Sequence, residues 1–592
     1  MAVETTARVR GGDAAGTIVA LWQRAGERAP DRPAFLVKER REWREVPWRE
    51  AAERVDELAA GFLALGLAKG DRVAIVSRTR LEWTLCDYAL ASVGAIVVPI
   101  YQTSSAEETR HILSDSNARA CICEDAEQLD KAAGAGVELL ISIEGEDSRA
   151  LPLDSVVERG RSFLAEQPDA LARARASVSA SDVLTFIYTS GTTGDPKGCV
   201  LTHAGWCAIV DSVSRVEGLM IPGDIVLLFL PLAHNFARLV QFVGAAQGFT
   251  IAFVEDPNRV GRALMEVRPT LFPSVPRLYE RVYRSVQSRL EREGTLKRRL
   301  GRWALSVGRR GAQRRQAGRG IGPLLALELR VADRLLFAKI KSRFGGRVRH
   351  AVSGGAPLAA EIAEFFAACG LVILEGYGLT ETTSACTVNW PGNYRFGTVG
   401  QALPEIEVAL ADDGEIKIRA ETIFQGYHGN EEATAEILTP DGWLLTGDVG
   451  TIDDDGFVTI TDRKKELIVT SGGKKVSPSN LENLLQTSPY VTHALVVGDN
   501  RSYLGALICP NREELAGVAK SEDEVRALIQ GVVDDVNSRH GVVEQIKRFV
   551  LLPRDFSAEE GELTPTLKLR RKVVQEHFRD EIEQLYGAER AG

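Results

Sequence analysis

A ten-residue segment, 189–198, contains the residue types that bind phosphate groups. It reads TSGTTGDPKG, with three glycines, four hydroxyl side chains and one lysine. Glycines let backbone N–H groups approach an anion, hydroxyls donate to phosphate oxygens, and lysine adds a point charge. The segment is not the P-loop pattern GxxxxGK[ST], because Pro196 precedes Lys197 and Gly198 follows it. Since it follows an apolar run, 183–188, we interpret it as a phosphate-binding loop and not as a Gly/Thr surface turn.

A second loop, 375–382, reads EGYGLTET and offers two further functional groups. The ring of Tyr377 could stack on a base, and the carboxylate of Glu381 could hold Mg²⁺. Upstream, the segment 353–357 ends another apolar run with small residues that leave a flat slot suited to a purine. Together, these two segments predict a nucleotide site.

Three charged residues further along the chain could complete such a site. Asp448 could accept hydrogen bonds from ribose hydroxyls, and Arg463 follows it in a turn-rich stretch. Taken singly, Asp448 would more often be a turn or helix-cap residue. Lys568 ends the segment LTPTLK, in which proline would hold a flexible side chain in a fixed direction.

Short apolar runs alternate with amphipathic stretches over the first 450 residues, which predicts an α/β protein. Such strands form largely parallel sheets covered by helices, and ligands gather at the carboxyl ends of the strands. We predict a large N-terminal domain, 1–461, and a smaller, mobile α+β C-terminal domain, 462–592. The runs are 72–77, 95–100, 120–123, 183–188, 225–230, 250–254, 348–352 and 371–374.

Length and composition restrict the class of protein. A chain of 592 residues with 44% apolar and 26% charged residues is a globular protein with at least two domains. We find no signal peptide and no run of about 18 apolar residues, so we expect a cytoplasmic protein. The eight scattered cysteines favour buried thiols over a zinc site, with Cys121 and Cys123 sharing one strand face. The net charge of -9 disfavours nonspecific binding of nucleic acid.

One region, 281–319, differs from this average because arginines crowd into a helical pattern around Trp303. One interpretation is a solvated helix face. The other is a contact with phosphates of a ligand or with an acidic membrane surface, which would place the protein at the inner face of the membrane. The sequence leaves both interpretations open.

The motifs, in this order, resemble the adenylate-forming superfamily of acyl-CoA synthetases, nonribosomal-peptide adenylation domains and luciferases. The likeness runs from about Leu21 to Tyr586. Two segments, 441–450 with 462–465 (DGWLLTGDVG and DRKK) and 275–280 (VPRLYE), are similar to the long-chain fatty acyl-CoA synthetase branch. A long helical insertion, about 281–345, follows the second of them.

The resemblance implies a role for each matched residue. The phosphate loop would close over the β- and γ-phosphates through Thr189, Ser190, Gly191, Thr192, Thr193, Gly194 and Lys197. Thr189 and Glu381 would hold Mg²⁺, and Thr380 lies beside Glu381 in the catalytic loop. Adenine would lie between Gly355, Ala356 and Pro357 on one side and Gly376, Tyr377 and Gly378 on the other. Asp448 and Arg463 would bind the ribose, while Lys568 would bridge the attacking carboxylate and the α-phosphate.

The resemblance also has implications for two residues near the predicted acyl-binding site. His234 corresponds to a residue near the acyl carboxylate, although a satisfied core histidine is the alternative. Relatives can have an aromatic gate at the position of Arg238, so this sequence does not support a gate there.

The implied reaction has two steps, with ATP, Mg²⁺ and coenzyme A as cofactors and a long-chain fatty acid as substrate. Rotation about a hinge at Lys465 would exchange Lys568 for the loop that contains Gly472 and Gly473, making room for the thiol of coenzyme A. Two alternatives remain: a ligase that passes the acyl group to a carrier protein, and a catalytically dead lipid-binding scaffold. Chain length and oligomeric state are not readable from the sequence.

Overall fold

Two large β-sheets form the centre of the protein, whose computed structural model describes residues 16–189, 196–557, 559–564 and 569–587. Their strands are β1 (Pro33–Glu39), β2 (Glu42–Pro47), β3 (Arg72–Val76), β4 (Ile96–Ile100), β5 (Ala120–Cys123), β6 (Leu139–Ser142), β7 (Leu151–Pro152), β8 (Val183–Thr189), β9 (Lys197–Thr202), β10 (Ile225–Leu228), β11 (Thr250–Phe253), β12 (Leu271–Ser274), β13 (His350–Ser353), β14 (Val372–Gly378), β15 (Ala385–Val388) and β16 (Gln401–Ala402).

The first sheet has seven strands in the order β7-β6-β5-β3-β4-β8-β9, and the second has nine in the order β16-β15-β14-β13-β12-β10-β11-β1-β2. Within each sheet the central strands pair in parallel. Antiparallel pairs occur at the margins, such as β8 with β9 and β14 with β15. Parallel strands need crossover connections, which explains why helices cover these sheets.

The helices of this part of the chain separate most of the strands. They are α1 (Ile18–Arg28), α2 (Trp48–Ala64), α3 (Leu81–Ser92), α4 (Ala106–Asp115), α5 (Ala126–Ala132), α6 (Leu153–Glu166), α7 (Ala170–Ala176), α8 (His203–Ser214), α9 (Asn235–Gln247), α10 (Val260–Val267), α11 (Pro276–Arg292), α12 (Thr295–Gln316), α13 (Pro323–Ala332), α14 (Ala338–Arg343) and α15 (Ala360–Ala368). A 3₁₀ turn (Pro257–Arg259) precedes α10, and a π-helical segment (Asp333–Phe337) joins α13 to α14.

The rest of the chain forms smaller sheets. An antiparallel sheet contains β17 (Glu407–Leu410), β18 (Glu415–Arg419), β19 (Leu444–Ile452) and β20 (Val458–Arg463). A two-stranded ribbon, β21 (Ile468–Val469) and β22 (Lys475–Val476), precedes a three-stranded sheet of β23 (Val491–Val497), β24 (Leu504–Pro510) and β25 (Ile546–Leu551). The helices are α16 (Glu431–Ile437), α17 (Pro478–Gln486), α18 (Arg512–Leu515), α19 (Glu522–Ser538), α20 (Arg571–His577) and α21 (Arg579–Tyr586), with a 3₁₀ turn (Val542–Glu544) before β25.

Local sequence explains several of these boundaries. Ser105 accepts a hydrogen bond from the backbone N–H of Glu108 and so starts α4, and Asp125 caps α5 in the same way. The C-terminus of α9 is capped by Gly248, which adopts a left-handed conformation that glycine tolerates best. Strand β3 reads RVAIV and is buried along almost its whole length, as expected for a strand covered on both faces.

The predicted fold class is confirmed: the protein is α/β, with a large N-terminal part and a smaller C-terminal one. All eight predicted apolar runs contain strands. The cysteines are unbridged, and the Sγ atoms of Cys121 and Cys123 lie 3.5 Å apart on one buried strand face. In two places strands are longer than expected. Strand β14 continues to Gly378 because it pairs with β15, and Arg463 is the last residue of β20 and not part of a turn.

Candidate active site

A cavity lies where β13 and β14 end and α9 begins. It encloses about 580 Å³ of empty volume, counting its open mouth. Its polar lining includes His234, Asn235 and the glycine-rich ends of both strands. Its apolar lining includes Val213, Leu219, Met220, Leu239, Val352, Val388 and Leu403. Such a cavity suits a ligand with one polar and one apolar part.

His234 is the N-cap of α9 and faces this cavity. Its Nδ1 accepts a hydrogen bond from the backbone N–H of Phe236 at 3.1 Å, so the proton of the neutral ring lies on Nε2. The neighbouring Asn235 donates to the carbonyl of Leu379 at 3.0 Å and thereby ties α9 to the turn after β14. His234 is therefore a half-exposed residue of the cavity wall and not a core histidine.

The residues predicted to form the adenine slot lie in three different environments. Gly355, Ala356 and Pro357 are exposed at the cavity rim, and Gly355 has φ of +81° with open space beside it. Gly376 lies in β14 against the cavity. Gly378 is needed for packing, since a Cβ there would come within 1.8 Å of the carbonyl oxygen of Ser384.

Tyr377, Asp448 and Arg463 form one connected group. The Tyr377 hydroxyl donates to Oδ2 of Asp448 at 2.6 Å, and Nε of Arg463 lies 3.2 Å from Oδ1. Asp448 and Arg463 are directly opposite each other on β19 and β20. Burial and the adjacent Asp448 charge raise the pKa of Tyr377, so the phenol stays protonated and remains a donor.

Glu381 lies in the turn after β14, next to Thr380, and contacts two other parts of the chain. Its Oε1 accepts a hydrogen bond from the hydroxyl of Tyr427 at 2.7 Å. The Nζ of Lys197, at the start of β9, lies 5.3 Å from the centroid of the Tyr427 ring. The buried thiol of Cys199 has a raised pKa because of its burial and the nearby Glu381 charge, and it also interacts with the Thr189 hydroxyl. Lys197 lies opposite Thr189 on β9 and β8, and Glu381 and Lys197 both contact the side chain of Tyr427.

Several predicted residues lie outside the described part of the chain. These are Ser190, Gly191, Thr192, Thr193 and Gly194 of the phosphate loop, and Lys568. Of the C-terminal residues that are described, Lys465 is exposed in the turn between β20 and β21. Gly472 and Gly473 lie in an exposed turn where no atom comes within 4 Å of a Cβ added at Gly473.

Arg238, the position where relatives can have an aromatic gate, is completely buried in α9. Its guanidinium bonds both carboxylate oxygens of Asp87, at 2.6 and 3.2 Å, and the hydroxyl of Thr185 at 2.8 Å. The rings of Trp83 and Trp206 flank it. A buried charge with a full set of partners is fixed in place, so this side chain is a structural tie between α3, β8 and α9.

Sequence reasoning missed one residue of the site, Tyr427, and the burial of another, Glu375. Tyr427 follows a glycine in an irregular segment, where nothing in the sequence marks it. Glu375 was included in the loop, but it is almost completely buried in β14, where it accepts a hydrogen bond from the backbone N–H of Leu358 at 3.3 Å. Burial raises the pKa of Glu375 to about 8. A buried carboxyl before a glycine-rich motif is not distinguishable from an exposed one by sequence alone.

The fold and the cavity define an α/β protein with a candidate ligand site at the carboxyl ends of parallel strands. Comparison with known proteins gives the particular family. The AMP-binding enzyme family profile matches residues 22–428, and that of the AMP-binding enzyme C-terminal domain matches residues 465–590. The chain belongs to the AMP-binding enzyme family.

Relatives of known name agree with this assignment. The chain is 38% identical over 586 residues to long-chain-fatty-acid--CoA ligase FadD15 of Mycobacterium bovis, covering 95% of this chain and 96% of that protein. It is 31% identical to the peroxisomal long chain acyl-CoA synthetase 7 of Arabidopsis thaliana, covering 91% and 81%. The adenylation domain of a Mycobacterium chelonae carboxylate reductase has the same fold, with a TM-score of 0.76 at 24% identity over 96% and 91% of the chains. The predicted superfamily is confirmed.

Proposed function

We propose that this protein is an ATP-dependent ligase that joins a long-chain fatty acid to coenzyme A. The observation that carries the proposal is the cavity, whose lining combines His234 and Tyr377 with large apolar side chains such as Leu219, Met220 and Leu239. Relatives named long-chain-fatty-acid--CoA ligases support the same substrate class. The apolar lining favours an acid with a long apolar chain, because burying each methylene contributes about 0.8 kcal/mol.

Activation of the acid solves a chemical difficulty. A carboxylate is a poor acyl electrophile because its leaving group would be oxide. Attack of the carboxylate on the α-phosphate of ATP gives an acyl adenylate and pyrophosphate, and the thiol of coenzyme A then displaces AMP. Two anions must meet in the first step, so cations have to offset their repulsion. Lys197 and Lys568 are the proposed cations, and His234 with its Nε2–H is the proposed neighbour of the carboxylate.

We propose that groups with fixed positions hold the nucleotide. Tyr377 and Arg463 fix the carboxylate of Asp448, which we propose accepts hydrogen bonds from the ribose hydroxyls. The adenine would lie between the ring of Tyr377 and the rim at Gly355, Ala356 and Pro357. We propose that Thr189, the loop after it and Lys197 contact the β- and γ-phosphates.

Thr189 and Glu381 fit a magnesium ion that ATP brings with it. They supply one hydroxyl and one carboxylate, and Mg²⁺ typically takes one or two protein oxygens while keeping water and phosphate ligands. The described residues contain no cluster of three or more His, Cys, Asp or Glu side chains that could hold a metal ion. When bound, the ion would neutralise phosphate charge.

For the second step we propose the division at 461/462 and a hinge at Lys465. Rotation of the C-terminal domain would withdraw Lys568 and bring up the turn with Gly472 and Gly473. The open space beside Gly473 supports a passage for the narrow thiol arm of coenzyme A.

A panel of acids from short to long, assayed for AMP release with and without coenzyme A, tests the activity. We expect a maximum at long chains and AMP release that depends on coenzyme A. A preference for acetate or aryl acids would overturn the substrate class. If acyl adenylate accumulates in the presence of coenzyme A and is consumed only when a carrier-protein thiol is added, the protein is a ligase that passes the acyl group to a carrier protein. No pyrophosphate release with any acid, and no thermal stabilisation by ATP, would favour the dead scaffold.

We further propose that helices α12 and α13 contact an anionic membrane surface at the inner face of the membrane. Of the 14 large apolar side chains that are exposed in the described residues, seven lie between Leu296 and Leu335. Leu296, Leu300 and Trp303 are spaced four and three residues apart, so they share one face of α12.

The charge of this region complements an anionic surface. Residues 295–347 contain 15 Lys and Arg but only two acids, Glu328 and Asp333, in a chain whose net charge is -9. Arg298, Arg299 and Arg302 of α12 form no ion pair with any described side chain. An apolar face combined with an arginine-rich polar face is the pattern of helices that lie in a membrane interface. No helix in the described ranges is long and apolar enough to cross a membrane.

Sedimentation with lipid vesicles tests this contact. We expect binding to vesicles with anionic phosphatidylglycerol but not to pure phosphatidylcholine, and loss of binding in the triple Arg→Glu variant of positions 298, 299 and 302. The matched control reverses the same charge at the exposed Arg41, Arg159 and Arg173. If both triple variants lose vesicle binding equally, the loss reflects the net charge of the protein and contradicts the proposed contact surface.

A further inference from the structure

Tyr427 lies in a short segment that joins the two loops of the proposed site. At one end, the backbone N–H of Phe424 donates to the carbonyl of Glu381 at 2.9 Å. At the other, the N–H of His428 donates to the carbonyl of Gly198 at 2.8 Å. Tyr427 itself forms a β-bridge with Cys199 of β9. The segment is therefore held by both the Glu381 turn and the strand that follows the phosphate loop.

The side chain of Tyr427 makes two contacts with charged groups of different sign. Its hydroxyl donates to Oε1 of Glu381 at 2.7 Å, and the Nζ of Lys197 lies 5.3 Å from the centroid of its ring. A hydrogen bond to a carboxylate is among the stronger kinds, and a cation near a ring face is attracted by the ring electrons. One residue thus touches both the proposed Mg²⁺ carboxylate and the proposed phosphate lysine.

The position of the Tyr427 ring is itself fixed. Its backbone N–H donates to Oγ1 of Thr434 at 2.9 Å, and the ring of Phe424 packs against it edge-on with centroids 5.0 Å apart. Burial and the Glu381 charge raise the pKa of Tyr427, so the hydroxyl keeps the proton that it donates. Oε2 of Glu381 has no hydrogen-bond partner among the described residues, so that oxygen is available to a ligand.

We propose that Tyr427 is a positioning residue of the activation step, which orients Glu381 towards the metal–phosphate group and sets its distance from Lys197. The inference rests on the proposed function, because it assumes that Glu381 and Lys197 bind the Mg²⁺ complex of ATP. Neither the family comparisons nor the sequence assigns this role to Tyr427. It follows only from the two contacts that the side chain makes.

Two variants separate the contacts. Tyr427→Phe removes the hydrogen bond to Glu381 but keeps the ring beside Lys197, whereas Tyr427→Leu removes both. The matched control is Tyr503→Phe, which removes a tyrosine hydrogen bond of similar length, 2.6 Å to the carbonyl of Leu585, in the C-terminal part of the chain. ATP binding is measured by calorimetry without acid, once with Mg²⁺ and once with EDTA, together with the melting temperature.

We expect Tyr427→Phe to weaken ATP binding about tenfold with Mg²⁺, the effect of one hydrogen bond to a charged group, but less than about twofold in EDTA. Tyr427→Leu should weaken binding under both conditions, since Lys197 also loses its contact. The melting temperature of Tyr427→Phe should match that of Tyr503→Phe. With Mg²⁺ present, Glu381→Gln should bind ATP equally well alone and in combination with Tyr427→Phe, because the two residues act through one contact.

Two results would overturn the inference. Tyr427→Phe could bind ATP as the unchanged protein does, or it could lose the same factor with and without Mg²⁺, which is what a general structural defect would cause. Failure of the proposed function is distinguishable from both. In that case the unchanged protein itself would bind no ATP and release no pyrophosphate with any acid.

Discussion

Charged side chains are paired and fixed in the proposed nucleotide site, whereas those of helices α12 and α13 are exposed to water. In the site, Asp448 is held by Tyr377 and Arg463, and Glu381 is held by Tyr427. In the two helices, arginines extend into water beside exposed leucines. Groups that are already fixed lose little freedom when a ligand binds, which suits the precise geometry of a reaction. Flexible exposed charges suit a surface without fixed geometry, such as a membrane.

The largest expected effect separates the two half-reactions. Lys568→Ala removes the cation proposed to meet the developing charge at the α-phosphate, so acyl-adenylate formation should fall about 100- to 1,000-fold. Thioester formation from supplied acyl adenylate should change little. Single-turnover assays of both steps provide the measurement, with Lys572→Ala as a control for charge in the same region. An equal loss of both half-reactions would contradict the division of labour.

A smaller loss is expected for the ribose carboxylate. Asp448→Ala removes hydrogen bonds to a charged group, each of about 1.5–3 kcal/mol, so ATP affinity should fall about 10- to 100-fold. Calorimetry measures the affinity, and the exposed Asp454→Ala is the control. Unchanged affinity for ATP would exclude Asp448 from the nucleotide site.

Salt concentration should affect vesicle binding by α12 and α13 much more than ATP binding at the nucleotide site. Exposed charges are screened within about 10 Å at 0.1 M salt, and buried pairs much less. Raising the salt from about 0.05 to 0.5 M should therefore abolish vesicle binding while ATP affinity changes less than about threefold. Vesicle binding that is insensitive to salt would mean that the exposed leucines, and not the arginines, govern the contact.

At the hinge, Lys465→Pro should restrict the turn between β20 and β21, because proline fixes φ. We expect the step that needs domain rotation to slow about tenfold, with ATP binding retained. Stopped-flow measurement of each step checks this, and Lys474→Ala is a nearby control. If neither single-turnover rate changes, the hinge lies elsewhere.

The smallest effect concerns pH. The folded-state pKa of Glu375 is about 8 because of burial, above its ordinary value of 4.5. Its contribution to stability is therefore complete below pH 4.5 and is lost as the pH rises through 8. Glu375→Gln should keep the bond from Leu358 and reduce the fall in melting temperature between about pH 6 and 9 by a few degrees. An identical fall in both proteins would mean that Glu375 is ionised in the folded state.

Much of the fold was readable from the sequence because each signal was local. Apolar runs such as 72–77 and 250–254 marked strands, and the alternation of strands and helices marked the α/β class. The ends of the strands were predicted less accurately. Strand β14 is extended to Gly378 by its pairing with β15, and no local pattern reveals a partner strand.

The residues of the site were only partly predictable. Tyr377, Glu381 and Asp448 lie in recognisable motifs, so their types and their order could be identified before the fold was known. Tyr427 and the pairing of Arg238 with Asp87 depend on contacts between segments 46 and 151 residues apart. Such contacts leave no local trace.

What the sequence determined by itself was the inventory of phosphate-binding, carboxylate and basic residues, together with the family that their order resembles. Only the tertiary structure decided which of them meet. It brought Lys197, Glu381 and Tyr427 together, and it buried Arg238 while leaving the leucines of α12 and α13 exposed. The reason is physical: a residue type fixes what a side chain can donate or accept, whereas its partners and its burial are set by the packing of distant segments.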